Sequence, residues 1–269
     1  MIALIDADAL CFRMAVVVED VHPFTGEVLG ADMEEAFRLC QLRLKDVEDA
    51  LFNEFGEDVD IELHFSDRTN FRYRVDPNYK SNRKGTSKPV IYKELVEKCK
   101  RHYDWIQYDD LEADDSMGMH QEWGSTCIVS PDKDMKQIEG YHLNLNRIDD
   151  GIDYVEVNHG HRFFLTQCIA GDTCDGYKGA VGFGMGKAKK WLDEYGYTWS
   201  SVVSAYKSCS SPKSQRIKKP NGKYKVKKLK SFNLGLGEAE ALKTAQMAFI
   251  LNSFDYYNYE KEEGIPWTP

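Results

Sequence analysis

Acidic residues recur in this chain at points where short apolar runs end. Candidate ligands among them are Asp6, Asp67, Glu112, Asp114, Asp115, Asp132, Asp134, Asp172 and Asp175. Carboxylates brought together would repel one another strongly unless cations lay between them. Hard oxygen ligands suit Mg²⁺ or Mn²⁺ rather than zinc, and paired ions of this kind serve phosphodiester cleavage. The pattern therefore predicts a divalent-metal site and favours a metal-dependent nuclease.

Each acidic motif also has a purely structural interpretation. The motif LEADD (residues 111–115) opens a predicted helix, where negative charge is common because it complements the helix dipole. Asp132 can cap a helix over Lys133–Ile138, and GDTCDG (residues 171–176) can form a turn. The conjunction of these motifs with aspartates at two strand ends favours metal binding over solvation.

Apolar runs alternate with amphipathic segments, which is typical of an α/β sheet. Strands are predicted over Ile2–Ile5, Ile61–Phe65 and Thr126–Ser130, and helices over Ala31–Phe55, Glu112–Trp123, His161–Ala170 and Glu238–Leu251. In such sheets, ligands gather at the carboxyl ends of the strands, and Asp6, Asp67 and Asp132 follow their respective apolar runs. We therefore expect these three side chains at one edge of the sheet.

A glycine-rich segment, GAVGFGMGKAKKW at residues 179–191, predicts a phosphate-binding hairpin. Its glycines let the backbone approach a phosphate, and a helix beginning near Lys187 would direct free N–H groups at it. A helix rather than a strand is predicted before it, which disfavours a dinucleotide-binding loop. The segment is interpreted as a helix-hairpin-helix that grips a DNA backbone through Gly182, Gly184, Gly186 and Lys187.

Two basic stretches are candidate contacts to nucleic acid. The first, FRYRVDPNYKSNRKGTSK (residues 71–88), alternates cations with rings that can stack on frayed bases; it includes Arg72, Arg74, Tyr79, Lys80, Arg83 and Lys84. The second, Lys213–Lys230, has nine Lys or Arg and no acid around a Pro220–Gly222 turn, and predicts an exposed hairpin or loop. Either stretch alone fits a solvated basic face, but a neighbouring metal site favours DNA binding for the first.

Composition limits the class of protein. At 269 residues and 42% hydrophobic, the chain can bury a full core, as one large domain or one with an appendage. The net charge of −9 argues against a generally basic nucleic-acid binder. With neither a signal-peptide pattern nor an apolar stretch of spanning length, we expect a cytoplasmic protein. The seven cysteines and seven histidines show no zinc-site spacing, so reduced thiols and surface or capping histidines are expected.

In their order along the chain, these motifs resemble the 5′ nuclease family, which includes flap endonucleases, 5′ nuclease domains of bacterial DNA polymerases and phage 5′→3′ exonucleases. LIDADAL resembles the family's first strand and aspartate, FSD its second, and FR with YKSNR its helical arch; LEADD, SPDKD, GDTCDG and the glycine hairpin follow in family order. The resemblance covers roughly residues 1–195. VDPNYKSNRK and QMAFILNSFDYYNYE are most similar to the gene-six-type exonucleases of short-tailed phages.

The resemblance implies a PIN-like α/β fold with a central twisted mixed sheet, helices on both faces, a helical arch insertion and a C-terminal helix-hairpin-helix region. The metal-binding nuclease core is expected over residues 1–158, with the arch segment at about 70–102. A helical DNA-binding region is expected over residues 159–269, with the helix-hairpin-helix at about 171–195 and the basic loop at 213–230.

The resemblance also implies roles for individual residues. Asp6, Asp67, Glu112 and Asp114 would bind a first Mg²⁺ ion, and Asp115, Asp132, Asp134, Asp172 and Asp175 a second, with Mn²⁺ as a substitute. Lys80 and Arg83 match the pair that steers the scissile phosphate, and Tyr79 matches an arch aromatic. Backbone carbonyls of the hairpin would bind K⁺. Asp8, where the family has a small polar residue, is assigned no role.

The expected function is Mg²⁺-dependent 5′→3′ exonuclease activity on duplex DNA with a 5′ end, nick or flap, and on RNA/DNA hybrid strands. A monomer in the cytoplasm of an infected host is expected, with no membrane partner and a role in phage DNA replication, recombination or host DNA degradation. One alternative is a haloacid-dehalogenase-type phosphatase, because Asp6 and Asp8 form a DxD motif after a strand. The other is a non-catalytic DNA-structure binder, which would work equally well in chelator.

Overall fold

The structure is a computed structural model that describes residues 1–83, 85, 87–209, 214–218, 224–228 and 237–269, with backbone alone for 214–218 and 224–228. The described residues fall into two compact units. The sheet unit comprises Met1–Phe71, Arg83–Gly160 and Ile250–Ile265. The helical unit comprises Arg72–Asn82, His161–Phe249 and Pro266–Pro269.

Strands and helices alternate along the first half of the chain, and helices predominate later. The strands are β1 Ile2–Asp6, β2 Glu19–Val21, β3 Val28–Ala31, β4 Asp60–His64, β5 Asp104–Ile106, β6 Thr126–Val129, β7 Gly140–Leu143, β8 Ile152–Val155, β9 Gly171–Asp172, β10 Tyr177–Lys178, β11 Ser214–Lys218, β12 Tyr224–Lys228, β13 Tyr257–Asn258 and β14 Glu263–Gly264. The α-helices are α1 Ala7–Val17, α2 Met33–Phe55, α3 Arg72–Val75, α4 Tyr92–His102, α5 Ala113–His120, α6 Val157–Ala170, α7 Met185–Tyr195, α8 Trp199–Cys209 and α9 Gly237–Ala248. Short 3₁₀ helices lie at Ser81–Arg83, Lys133–Gln137, Ile148–Asp150 and Phe254–Tyr256.

The sheet unit is built on a six-stranded sheet in the order β5-β4-β1-β6-β7-β8. All neighbouring strands run parallel except β7 and β8, which pair antiparallel. This mixed sheet confirms the predicted α/β class. The three predicted strands are confirmed to within a residue at each end, because short buried β-branched runs are a local signal. Their parallel order brings the carboxyl ends of β4, β1 and β6 to one edge.

Helices cover both faces of this sheet. Alternate residues of a strand point to opposite faces, and in β1 Ala3 and Ile5 belong to one core cluster while Leu4 belongs to another. The first cluster contains the buried residues of α1, α2 and α4. The second contains Met117 of α5. The prediction of helices on both faces is therefore confirmed.

Helix α2 follows from its sequence pattern and its caps. Its buried residues Ala36, Cys40, Leu44, Val47 and Leu51 are spaced by three or four positions and form one apolar face. The helix begins two residues later than predicted, because the Asp32 carboxylate accepts a bond from the Glu35 N–H and caps it. It ends at Gly56, whose φ of 70° is the left-handed conformation that glycine adopts readily.

The helical unit contains α3, α7, α8, α9 and most of α6, with the short ribbon β9–β10 between α6 and α7. Arg72 of α3 is buried, and its guanidinium donates to the carbonyls of Met247 and Phe249 at 3.0 and 2.6 Å. Met247 lies in the last turn of α9 and Phe249 just after it, so Arg72 satisfies carbonyl groups that a helix end leaves open. Its contact to DNA stays a prediction.

The basic stretch predicted as a hairpin is described in part. The backbones of β11 and β12 pair antiparallel, Ser214 opposite Lys228 and Lys218 opposite Tyr224. Lys213, Pro220–Gly222 and Lys230 lie outside the described residues, as does Lys84 of the first basic stretch. Among the helices of the described residues, none combines the length and apolar character needed to cross a membrane.

Gly118→Ala is expected to destabilise the protein by about 1–3 kcal/mol, because an added Cβ on α5 would collide with the Leu251 carbonyl oxygen. Gly186→Ala is the matched control, since a Cβ there on α7 meets open space and should stabilise by up to about 1 kcal/mol. Chemical denaturation measures both. Equal effects of the two substitutions would contradict the close approach of Leu251 to α5.

Candidate active site

Asp6 lies at the carboxyl end of the central strand β1 and caps α1. Its Oδ1 accepts the Ala9 N–H at 2.9 Å, and its Oδ2 accepts the Ser130 hydroxyl at 2.9 Å. Ser130 directly follows the neighbouring strand β6, so the bond joins two strand ends. The carboxylate is buried, and these two neutral donors fix its orientation.

The pKa of Asp6 reports the charge around it. The pKa is raised to about 6: burial is the main cause, the negative charges of Asp8 and Asp132 add to it, and the hydrogen bonds from Ala9 and Ser130 partly offset it. A cation beside this buried carboxyl group would offset both the burial and the repulsion. The negative charges of Asp8 and Asp132 thus act on Asp6, and the grouping of these residues around an ion stays a prediction.

Asp67 follows β4 and is tied to the chain that leads into α5. Its N–H donates to the Leu111 carbonyl at 2.9 Å, and its Oδ2 accepts the Asp110 N–H at 3.1 Å and the Thr69 hydroxyl at 2.9 Å. Partial burial raises the pKa of Asp67, but backbone N–H groups of Asp110, Arg68 and Thr69 outweigh it and lower the pKa overall. Asp67 is therefore held ionised next to the LEADD motif.

The LEADD acids open α5, and two of them form a capping box. Glu112 is the N-cap, and its N–H donates to Asp115 Oδ2 at 3.3 Å. Asp115 is completely buried, and its Oδ1 accepts the Leu251 N–H at 3.1 Å. Asp114 is half-buried in the same helical turn. Asp115 thus anchors the segment that follows α9, in addition to its predicted place beside a metal.

Asp132 and Asp134 lie in the turn after β6. Asp132 is exposed and caps the 3₁₀ helix by accepting the Asp134 N–H at 2.8 Å, so the capping interpretation holds for this residue. The Lys133 ammonium donates to Asp134 Oδ1 at 2.6 Å. Both carboxylates keep lone pairs beyond these bonds.

Seven of the nine predicted ligands belong to the sheet unit and two to the helical unit: Asp6, Asp67, Glu112, Asp114, Asp115, Asp132 and Asp134 in the former, Asp172 and Asp175 in the latter. Across the described part of the chain, no three of these carboxylates bring oxygens within 4.8 Å of one another. Their grouping around ions stays a prediction, as does the addition of the last two. The donor set fits hard divalent ions, because every member is a carboxylate.

In the helical unit, the YKSN segment is bound to the GDTCDG loop. The Lys80 N–H donates to the Asp175 carbonyl at 2.9 Å, and the Asn82 amide donates to the carbonyls of Thr173 and Cys174 at 3.1 and 3.0 Å. Side chains add to this: the Tyr79 hydroxyl donates to Asp175 Oδ2 at 3.3 Å, and the Lys80 ammonium lies 4.0 Å from it. Two motifs about 90 residues apart in sequence thus form one local structure.

The residues predicted to contact DNA differ in how far they are exposed to solvent. Arg83 in the sheet unit and Gly182, Gly184 and Gly186 in the helical unit are exposed, whereas Tyr79 is buried and packs edge-on against Tyr73. Helix α7 begins at Met185, two residues before the predicted start. The exposed Lys187 ammonium donates to the Gly182 carbonyl at 3.0 Å and lies over the Phe183 ring. None of these contacts tests the predicted role in DNA binding.

Sequence reasoning gave Asp8 no role and missed Tyr92, Ser66 and Ser130, which bond to Asp8 or to Asp6. Asp8 Oδ1 accepts the Tyr92 hydroxyl at 2.6 Å, and its Oδ2 accepts the Ser66 N–H at 2.9 Å. Ser130 holds Asp6 itself. Asp8 carried a local signal, the DxD spacing, but Tyr92 did not because it lies 84 residues away.

The histidine expectation was wrong for His64. This residue is completely buried, and its Nδ1 lies 2.7 Å from the Ser116 hydroxyl oxygen of α5. The alternation of β4 points it away from solvent, and a polar partner on another element makes burial tolerable.

Comparisons with known proteins identify similar phage enzymes. No family model matches the chain. The chain is 34% identical over 233 residues to the exodeoxyribonuclease of Enterobacteria phage T3, covering 78% of this chain and 73% of that protein. It is 31% identical over 231 residues to the exonuclease of Escherichia phage T7, covering 78% and 74%.

The fold is shared with solved structures from phage T5. The T5 5′-exonuclease with bound zinc ions has a TM-score of 0.61 at 14% identity, covering 94% of this chain and 90% of that chain. A T5 flap endonuclease variant in complex with DNA and metal ions has a TM-score of 0.57 at 14% identity, with the same coverage. At this identity the likeness shows the fold alone.

Asp6→Asn is expected to raise the free energy of unfolding of the metal-free protein, because it removes a buried, crowded carboxylate. The native pKa of about 6 lies above the ordinary value of 3.8. The native state therefore holds this proton more tightly, and wild-type stability falls as pH rises between the two values. The gain from the substitution should be small at pH 4 and approach roughly 3 kcal/mol above pH 7.

Asp67→Asn is the matched control with the opposite sign. Its native pKa is lowered, so its carboxylate stabilises the fold at neutral pH and this stability is lost as pH falls through the native pKa. The substitution should therefore destabilise most at neutral pH. Denaturant unfolding in EDTA across this range measures both variants. A pH-independent effect of Asp6→Asn would contradict the raised pKa.

Proposed function

The chain belongs to the phage exonuclease family that includes the T3 and T7 enzymes, and we propose that it cleaves duplex DNA from 5′ ends using divalent metal ions. Family membership makes it an exonuclease, and favours this function over a phosphatase or a non-catalytic DNA binder. The observation that supports the metal dependence is the raised pKa of Asp6, which comes first from burial and then from the negative charges of Asp8 and Asp132.

The proposed metal site lies at the carboxyl ends of β4, β1 and β6. Asp6, Asp67, Glu112 and Asp114 would hold a first ion, and Asp115, Asp132, Asp134, Asp172 and Asp175 a second. Bound divalent ions would activate the attacking water and stabilise the leaving oxygen. Mg²⁺ is the proposed ion, with Mn²⁺ as a substitute, because the ligands are carboxylates.

The protein's own contribution is to hold these carboxylates before any ion arrives. Asp6 is held by Ala9 and Ser130, and Asp67 by Asp110 and Thr69, so each keeps one fixed orientation. Such preorganisation means that the ligands need not reorder when an ion binds. Asp8 is proposed to act one step further out, where its bonds from the Tyr92 hydroxyl and the Ser66 N–H join α4 and the segment after β4 to the start of α1.

Cations of the arch segment are proposed to position the substrate. Lys80 and Arg83 would bind the scissile phosphate, since ammonium and guanidinium groups pair strongly with phosphate oxygens. Lys80 adopts φ of 51°, and its N–H is bonded to Asp175, which fixes the base of the side chain. Tyr79 and Arg72 are buried and would support this segment by packing beneath it. They are also proposed to contact the DNA.

The glycine hairpin is proposed to bind the DNA backbone away from the cut. Gly182, Gly184 and Gly186 are exposed, and space for a phosphate lies open above them, because an added Cβ at any of the three would meet no atom within 4 Å. The N-terminus of α7 would present backbone N–H groups and the helix dipole to a phosphate, and Lys187 adds a positive charge. K⁺ is proposed to bind the hairpin carbonyls, as the Lys187 ammonium does at Gly182.

Nicks, flaps and RNA/DNA hybrid strands are proposed as further substrates, because gripping a backbone does not read bases. We also propose that the protein acts as a monomer in the cytoplasm of the infected cell, during phage DNA replication, recombination or host DNA degradation.

The direct test is digestion of duplex DNA labelled at the 5′ or the 3′ end, with Mg²⁺ and with chelator. Short products should leave the 5′ label only when metal is present. Asp132→Asn should slow cleavage at least about 100-fold while retaining DNA binding, because it removes a carboxylate beside Asp6. Asp49→Asn, an exposed aspartate on α2, should change nothing. Release from the 3′ label, or cleavage in chelator, would refute the proposal.

Lys80→Ala should slow cleavage and reduce the slope of log binding affinity against log salt by about 1, because one phosphate contact is lost. Lys45→Ala, which removes the same charge from an exposed site on α2, is the control. Circular dichroism would check that each variant is folded. An unchanged salt slope in Lys80→Ala would exclude Lys80 from phosphate binding.

A further inference from the structure

A second group of metal-ligating side chains lies in the sheet unit, outside the acidic site. Glu62 and His64 are two apart on β4, and His120 is the last residue of α5. Glu62 Oε1 lies 3.0 Å from His64 Nε2 and 3.5 Å from His120 Nδ1. The three atoms all lie within 4.8 Å of one another. We call these residues the Glu-His-His cluster.

The spacing of these atoms fits one tetrahedral ion. Zinc binds imidazole nitrogen and carboxylate oxygen at about 2.0–2.2 Å, which places neighbouring ligands of a tetrahedral site about 3.4 Å apart. The separations of 3.0 and 3.5 Å from the Glu62 oxygen lie close to this value. The cluster needs only small side-chain movements to surround an ion.

The nitrogen of each imidazole that faces away from Glu62 is held by a hydroxyl group. His64 Nδ1 lies 2.7 Å from Ser116 Oγ, and His120 Nε2 lies 2.9 Å from the Tyr108 hydroxyl oxygen. Each ring can therefore donate its proton outward and present a bare nitrogen to the ion. Outer partners of this kind orient most histidine ligands of metals.

Charge and access also fit a metal site. Glu62 supplies a carboxylate oxygen, and His64 and His120 each supply an imidazole nitrogen, which together are a ligand set that zinc binds. The side chains of Glu62 and His120 are 24% and 21% exposed, which leaves a fourth position open to water.

We propose that Glu62, His64 and His120 bind a Zn²⁺ ion with water as the fourth ligand. Imidazole nitrogen favours zinc over the hard ions that suit the carboxylate site. The ion would fasten β4 to the carboxyl end of α5, about 12 Å along the helix from the LEADD acids at its start. The proposed ion would thus link two elements of the sheet unit outside the acidic site.

Zinc titration with excess Mg²⁺ present tests the proposal, read by calorimetry and by the imidazole NMR signals of the histidines. His120→Phe removes one ligand but keeps a ring against Tyr108 and Phe254, and Glu62→Gln removes another. His102→Phe, at the exposed end of α4, is the matched control. Both ligand variants should bind zinc at least about tenfold more weakly, and His102→Phe should not.

A cobalt(II) spectrum separates this cluster from the buried thiols of Cys11, Cys40 and Cys99, which also lie within 4.8 Å of one another. Cobalt at the Glu-His-His cluster should give ligand-field bands without thiolate charge transfer. In a separate measurement, zinc should raise the melting temperature of the wild type and of His102→Phe, but not that of the two ligand variants. Three outcomes would overturn the proposal. They are a zinc affinity that does not change in His120→Phe and Glu62→Gln, NMR signals of His64 and His120 that do not move on zinc addition, and a cobalt spectrum that shows thiolate charge transfer alone.

Discussion

The repulsion between carboxylates at one edge of the sheet is the constraint that organises the sheet unit. Each strand-end aspartate accepts a backbone N–H that holds it in place: Asp6 from Ala9 in α1, Asp132 from Asp134 in the following 3₁₀ helix, and Asp67 from Asp110, which lies 43 residues further along the chain. For Asp6 and Asp132 this bond caps a helix, and the carboxylate keeps further lone pairs that an ion can use. Capping and metal binding are therefore compatible at these two residues.

Asp115 extends this arrangement to the far end of the sequence. Its buried carboxylate binds the Leu251 N–H, and Gly118, one helical turn later, leaves room for the Leu251 carbonyl. Residues 250–265 return to the sheet unit through these contacts. A buried carboxylate is costly unless it is bonded on both oxygens, so the position of α5 and that of the returning segment depend on each other.

Sequence signals were reliable where they were local. The periodicity of α2 and the short buried runs predicted these elements to within two residues, and the carboxyl ends of the three predicted strands do share one edge. Contacts across long sequence separations left no such signal. Tyr92 on Asp8, Ser116 on His64 and Met247 on Arg72 are joined over 84, 52 and 175 residues, and no pattern of spacing encodes those pairs.

The candidate ligands differ in how their charge is compensated. Asp134 has the Lys133 ammonium at 2.6 Å, and Asp175 has that of Lys80 at 4.0 Å. Asp6, within the described chain, accepts bonds from the neutral donors Ala9 and Ser130 while Asp8 and Asp132 repel it. Burial is the main cause of the raised pKa of Asp6, so ionising this carboxyl group costs free energy in the folded protein. A cation bound beside Asp6 would offset that cost, whereas at Asp134 and Asp175 a lysine already supplies positive charge.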